Sequence, residues 1–400
     1  MRYRNRAIAV CLIVLPMLFC LASCSKRTSR SPAGVALKEQ VGPPLSDEEC
    51  TKFAISLKEA IHSGNIVANN LVDWDLILKA GMADVEATDS SRKNFAKGFK
   101  DATSRLIADA ITNGGNYEFL HVHSVEDEKR ILFRLLLPVG TVNYHDWILA
   151  RGENGQVQIV DLYIFTTGER LTETVRRGFL PVAARESGLF NRLVVNDQEY
   201  VKNFPKIRQM NECFKAKKYQ EGLTAYRQLP PRMKKDKNIL LFRLNLAQNA
   251  GEQEYSEAIQ DLVTSYPNDP CADFVAIDAY LLRNEYPKVL ESIDRLDRAV
   301  GGDPYLKVKR AGVHLKSGNL KEARLACQKA IKEDPTLKDA YWSLVNVSLQ
   351  ERKFDETVDL LIILADKFHE EIGGLTGIEA YAEFVRSPQY EKWLKSRENK

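Results

Sequence analysis

Hydrophobic positions along the chain recur with two periods, and the switch between them divides it. From residue 47 to about 115 the period is helical. Cys50, Phe53, Ala54, Leu57 and Ile61 mark one helix, residues 71–80 a second, and Phe95, Phe99, Leu106, Ile107 and Ile111 a long third that Gly114 and Gly115 end. Apolar, β-branched and aromatic residues then dominate 117–123, 130–137, 142–151 and 157–165, the pattern of strands. The turn signal Glu153-Asn154-Gly155 makes the last pair antiparallel. Helices followed by such a meander predict an α+β domain with its helices on one face of the sheet.

After residue 200 the helical period returns and repeats. An aromatic residue or leucine after a short polar turn recurs at Tyr219, Tyr255, Tyr286, Leu320 and Phe354, spaced by 36, 31, 34 and 34 residues. Asp269-Pro270, Asp303-Pro304 and Asp334-Pro335 form a second series, read as helix stops because proline cannot supply the next backbone donor. Each unit between these marks reads as two amphipathic helices. In the clearest, Leu306, Val308, Ala311, Val313 and Leu315 line the first helix, Ser317-Gly318-Asn319 breaks it, and Ala323, Cys327, Ala330 and Ile331 line the second. Gly222, Ala258 and Ala323, three after their openers, allow close helix approach. The units fall at 203–237, 238–270, 271–304, 305–337 and 338–371, followed by a terminal helix with Tyr381, Phe384, Tyr390 and Trp393. This arrangement resembles the tetratricopeptide repeat, a helical hairpin of about 34 residues. The resemblance implies an all-α solenoid whose first helices line a groove for a protein or extended peptide. By that resemblance Arg243, Trp342 and Asn346 lie on the groove side, although Trp342 is equally suited to packing against the terminal helix.

Charge modifies this picture in one place. Residues 202–237 hold 11 Lys and Arg against Glu212, Glu221 and Asp236, a local charge of +8 in a chain whose net charge is only +3. The near-neutral total argues against a nucleic-acid binder, whereas the local excess fits either a solvated face or an anionic membrane or partner.

The first residues form a separate segment. Arg2, Arg4 and Arg6 precede an apolar run over 7–22, which is interrupted by Pro16 and is followed by small residues and Cys24. Leu21-Ala22-Ser23-Cys24 resembles the lipobox of bacterial lipoproteins. The resemblance implies a signal peptide over 1–23, diacylglycerol on Cys24, and a lipid bilayer as one partner. Ser25 in place of aspartate resembles the pattern sent to the outer membrane, facing the periplasm. Residues 24–46, rich in Ser, Arg, Pro and Gly, read as a lipidated flexible tether. The remaining cysteines, Cys50, Cys213, Cys271 and Cys327, show no zinc spacing and read as buried thiols.

Residues 47–200 form the α+β domain and 201–400 the repeats. The order of elements over about 48–185 resembles the cystatin-like cone of nuclear-transport-factor-2-like proteins, helices on a curved antiparallel sheet. Residues 155–163 look like its last long strand, and Gly168-Glu169-Arg170-Leu171 begins a closing helix. Such cones hold pockets, which makes Asp73, Tyr144, Asp161 and Tyr163 pocket candidates, together with His145, Asp146 and Trp147. Strand alternation sends His145 and Asp146 to opposite faces, so they cannot form one dyad. His121 and His123 share a face but have no identifiable third metal ligand. No catalytic, nucleotide or metal signature occurs, and no cofactor is implied. The expectation is a membrane-anchored, non-catalytic scaffold that binds protein or peptide through its repeats. The alternative is a carrier or enzyme for a hydrophobic small molecule bound in the α+β domain.

Overall fold

The computed structural model describes residues 43–63, 71–137, 140–152, 154–185 and 195–398. The leader, Cys24 and most of the tether lie outside the described residues, as does Glu153 of the expected turn. Helix α1 (Asp47–His62) opens on a capping box in which Ser46 and Glu49 satisfy each other's orphan backbone groups. Helices α2 (Trp74–Gly81) and α3 (Asp89–Thr112) come next. The second helix starts three residues later than its apolar pattern predicts. Leu71 and Val72 are extended instead, because Val72 forms a parallel bridge with Ile159, whose N–H donates to the Leu71 carbonyl and whose carbonyl accepts from Asp73 N (2.8 Å each).

Strands β1 (Asn116–Val125), β2 (Glu128–Leu136), β3 (Val142–Arg151), β4 (Val157–Ile164) and β5 (Glu169–Arg170) form one antiparallel sheet in sequential order. Bulges at Phe119/His121 and Ile148/Leu149 shift the register. Residues 169–170 pair with β4 as a short strand rather than beginning the closing helix, so α4 (Leu171–Ala183) starts at Leu171. Helix α1 packs along β1 and β2, and α4 packs on β4 and α2. The fit of α4 against α2 is close: a Cβ on Gly81 would lie 2.4 Å from Val175 Cγ1 and 2.7 Å from the Thr172 carbonyl.

A run of helices with adjacent-helix contacts completes the chain. It comprises α5 (Val195–Lys215), α6 (Tyr219–Arg227), α7 (Lys237–Gln248), α8 (Glu252–Ser265), α9 (Pro270–Leu282), α10 (Tyr286–Ala299), α11 (Pro304–Lys316), α12 (Leu320–Glu333), α13 (Lys338–Gln350) and α14 (Phe354–Phe368). Short α15 (Ala382–Val385) and α16 (Pro388–Glu398) close it. Loops as short as Ser317-Gly318-Asn319 make consecutive helices antiparallel hairpins.

The aspartate–proline pairs act differently from the expectation. Asp303 caps α11 by accepting from Tyr305 N (2.9 Å), and Pro304 is its first residue; Asp269 and Pro270 open α9 in the same way. Proline at the first helical position loses a donor that has no partner there in any case, so these prolines start helices rather than stop them. Asp334 alone closes a helix, α12, and then accepts from Thr336.

The chain divides into two compact units, one ending at Val275 and one beginning at Ala276, so the first unit holds the sheet together with the first two helical hairpins. In the second, Ala323, Cys327, Leu344, Leu361 and Leu364 form a core with Phe384, Tyr390 and Trp393 of the terminal helices. Among the described residues no helix is long and apolar enough to cross a membrane.

Candidate functional site

Register assigns the polar side chains of the sheet to two faces. Tyr117, Phe133, His145, Trp147 and Leu162 share one. Here Asn143 Oδ1 accepts from Tyr144 N (2.8 Å) and Thr166 N (3.2 Å), which aims its amide nitrogen at His145 Nε2 (3.0 Å). The imidazole therefore carries its proton on Nδ1 and donates to the Tyr117 hydroxyl oxygen (3.1 Å), which also accepts from Trp147 Nε1 (2.8 Å). Burial pushes the His145 pKa down to about 4, so the ring is neutral, and raises that of Tyr117 far above the ordinary phenol range. This closed network holds the core of the sheet.

The other face carries Tyr144, Asp146, Asp161 and Tyr163 with His121 and His123. As strand alternation predicts, His145 and Asp146 do not meet. Asp146 instead joins a pair that sequence reasoning missed: its Oδ1 accepts from His123 Nε2 (2.8 Å) and its Oδ2 from Arg130 Nη1 (2.9 Å). Arg130 also donates to Glu128, which is gripped from its other side by both terminal nitrogens of Arg170 (2.9 Å each). The result is a hydrogen-bonded chain of polar and charged side chains, His123–Asp146–Arg130–Glu128–Arg170, across four strands. Burial works against the Arg130 charge, but Asp146 and Glu128 more than offset it and raise its pKa. Each strand in isolation shows an ordinary charged residue. Only the register brings the five together, and one of the two bulges lies in β1, just upstream of His123.

Of the four pocket candidates, Tyr144 and Tyr163 meet at Phe165, while Asp73 and Asp161 are each engaged by backbone and hydroxyl donors of their own neighbourhood. Asp73 caps α2 through Leu76 N (2.9 Å). Asp161 accepts from Thr172 Oγ1 (2.7 Å), Thr172 N (3.2 Å) and Leu162 N (2.8 Å), anchoring the start of α4, and burial lifts its pKa to about 6 against these hydrogen bonds. Tyr144 is fully buried against Phe165, whose ring Tyr163 meets at 5.3 Å. His121 and His123 lie 5.6 Å apart by ring centroids, and among the described residues no group of three His, Cys, Asp or Glu is placed to hold a metal.

The buried charges at the junction of α4 and α7 engage one another. Arg177 pairs with Glu169, which also accepts from Thr174 Oγ1 and Asn238 Nδ2. Burial lowers the Arg177 pKa to about 10 and raises that of Asp236 to about 6, each partly countered by the other.

Among the repeat candidates, Arg243 is buried, paired with Asp261 and stacked 5.1 Å over Tyr226. Trp342 is half-buried against the hydrophobic cluster of the second unit, while Asn346 is exposed. A row emerges around Asn346. Asp278, Gly312 and Asn346 occupy the same place in α9, α11 and α13, 34 residues apart, as do the exposed Leu282, Lys316 and Gln350 one turn on. Lys309 and Lys316 lie close enough to the exposed Asp278 to favour its carboxylate, so these three charges are within electrostatic reach. A Cβ on Gly312 would meet nothing within 4 Å. In comparison with known proteins, the chain matches no family model, no curated protein and no solved structure.

Proposed function

We propose that this chain is a lipid-anchored bacterial envelope protein, attached through Cys24, whose helical hairpins are tetratricopeptide-like and serve as a non-catalytic scaffold for an extended peptide or protein segment. One observation carries the reading. Three successive first helices expose Leu282, Lys316 and Gln350 at a 34-residue spacing, and one turn earlier the exposed Asp278 and Asn346 flank the half-buried Gly312, while the neighbours Ala279, Val313 and Val347 are buried. A stack of helices that repeats its exposed positions offers a ligand one continuous strip rather than a single pocket. Gly312 supports the same reading, because a glycine in a helix interior costs stability and here leaves open space at the centre of the strip. The polar groups of the sheet, which hydrogen-bond to one another, favour a structural role for that region.

Photo-crosslinking tests the reading. With a photoreactive residue at position 278, 316 or 346, adducts to an envelope protein are expected. With the same residue in place of the exposed Leu325 on α12, none is expected. Equal labelling from position 325 would remove the groove. Mass spectrometry of the mature amino terminus tests the anchor separately, with a diacylated or triacylated Cys24 as the expected species.

A further inference from the structure

The most basic stretch of the chain is sorted by the fold into two separate ends. Helices α5 and α6 are antiparallel, so Lys215, Lys217 and Lys218 gather at the loop between them, while Lys202 and Lys206 lie near the opposite end. Lys206 Nζ donates to the Gln228 carbonyl (2.9 Å), which fixes this opposite end against the segment leaving α6. That segment brings Arg232, Lys234 and Lys235.

These three cations do not hang on a loose loop. Pro230 and Pro231 restrict the approach, and a single 3-10 turn over Met233–Lys235 comes directly after them. Met233 is fully buried and pins the turn, with Arg232 and Lys235 exposed on either side of it. Tyr226 and Tyr266 donate their hydroxyls to the Lys234 and Lys235 carbonyls (3.4 and 2.9 Å) and hold the turn down. Asp236, the acid next in sequence, is turned inward to cap α7 and to face Arg177. Lys202, Lys206, Arg232, Lys234 and Lys235 thus have no carboxylate partner among the described residues. The other cations of the stretch are mostly neutralised: Arg227 by Glu254, Lys237 by Asp269, Arg208 by Glu212 and Lys218 by Glu221.

The geometry points to this end of the first hairpin as a docking face for an anionic phospholipid surface. Two features favour lipid over an acidic protein or nucleic acid. The cations sit on a pinned turn preceded by two prolines and on the adjoining part of α5, and present several unpaired charges side by side, which suits a laterally mobile field of headgroups. The attachment point of the chain also lies close to the lipid. Eighteen residues lie between Cys24 and Pro43, where the described chain begins, so at full stretch no more than about 65 Å separates the two. Pro43 belongs to the same compact unit as the patch. One acyl anchor and one polybasic face are the two signals that together hold a protein on a bilayer surface. The orientation of the anchored protein rests on the proposed acylation, whereas the affinity of the patch for lipid does not.

The test separates the two. Chain starting at Ser25, which has no anchor, is sedimented with phosphatidylethanolamine vesicles containing or lacking phosphatidylglycerol. Binding is expected only to the anionic vesicles and is expected to fall with salt. Replacing Lys202, Arg232, Lys234 and Lys235 together by Gln should weaken it by about 100-fold or more, with the far-UV spectrum and melting temperature unchanged. Replacing Lys215, Lys217 and Lys218 by Gln should change it by less than about threefold, because those residues occupy the other end. Equal losses in the two variants would reduce the effect to net charge and overturn the assignment. So would retention by an acidic polypeptide or single-stranded DNA when vesicles fail. Absence of acyl groups on Cys24 would overturn the anchor and leave the vesicle result standing.

Discussion

Tyr117 shows how much a single atom can hold. Its phenolic oxygen accepts from both Trp147 Nε1 and His145 Nδ1 in a fully buried setting. Tyr117→Phe keeps the ring stacked on Phe133 and removes only the acceptor, leaving two buried donors unpaired. A loss of at least about 2 kcal/mol is expected in urea unfolding, and a loss below half of that would mean the donors find other partners. Asp161 makes a prediction of different form. Its folded pKa of about 6 lies above the unfolded value near 3.8, so the charged carboxylate is disfavoured by folding. The penalty is therefore fully present above pH 6, shrinks as pH falls through 6, and is gone below about 3.8. It amounts to on the order of 3 kcal/mol. Asp161→Asn carries no such charge, so from pH 7 to pH 4 the wild-type chain should gain stability relative to the variant. Parallel pH profiles would refute the burial argument.

Helix α2 ends on Gly81 and α11 holds Gly312 in its interior, and the two glycines should respond oppositely to alanine. Gly81→Ala drives a methyl into Val175 and the backbone carbonyl of Thr172, and the backbone cannot move aside as a side chain can. A loss of about 1 to 3 kcal/mol is expected. Gly312→Ala meets open space and should gain up to about 1 kcal/mol from helix propensity. If the strip containing Gly312 binds a peptide backbone closely, the same change should raise the melting temperature while weakening the crosslink from position 346. At this scale much is legible in the sequence. The strand positions and the helix pairs emerge from period alone, because burial on one face forces it. What sequence does not supply is partnership. Leu71 and Val72 fit the helical pattern yet are extended because Ile159, nearly ninety residues away, offers backbone partners. The proline pairs mark true helix boundaries, but 270 and 304 belong to the helix after the boundary rather than the one before it, since an Asp-Pro pair fits between two helices either as the end of one or the cap of the next. His123 and Asp146 are both visible in the sequence; the pairing of β1 on β2 and of β2 on β3 that joins them is announced by no local pattern.

For the whole molecule, the first compact unit extends beyond the α+β region to Val275, although the change of period places a boundary near residue 200. The reason is chemical. Glu169 and Arg177 of the β5–α4 region are buried by the first helical hairpins, with Asn238 bonding Glu169 (3.1 Å), Asp236 facing Arg177, and Lys237 Nζ donating to the Gly168 carbonyl (2.9 Å). Cys271 Sγ reaches the Thr166 carbonyl (3.3 Å) from the start of α9. A chain ending at residue 200 therefore keeps Arg177 and Glu169 while losing Asp236 and Asn238. It also exposes a surface built to be covered, and breaking buried pairs of this kind costs about 3 to 5 kcal/mol. A chain ending after Leu282 retains the partners and leaves α9 whole. The longer fragment should unfold in one cooperative transition reported alike by circular dichroism and by tryptophan fluorescence from Trp74 and Trp147. The shorter should be markedly less stable or insoluble. Identical unfolding midpoints for the two would show that the first hairpins only lean on the sheet. The buried ion cluster would then have to be regarded as incidental to the folding of the first unit.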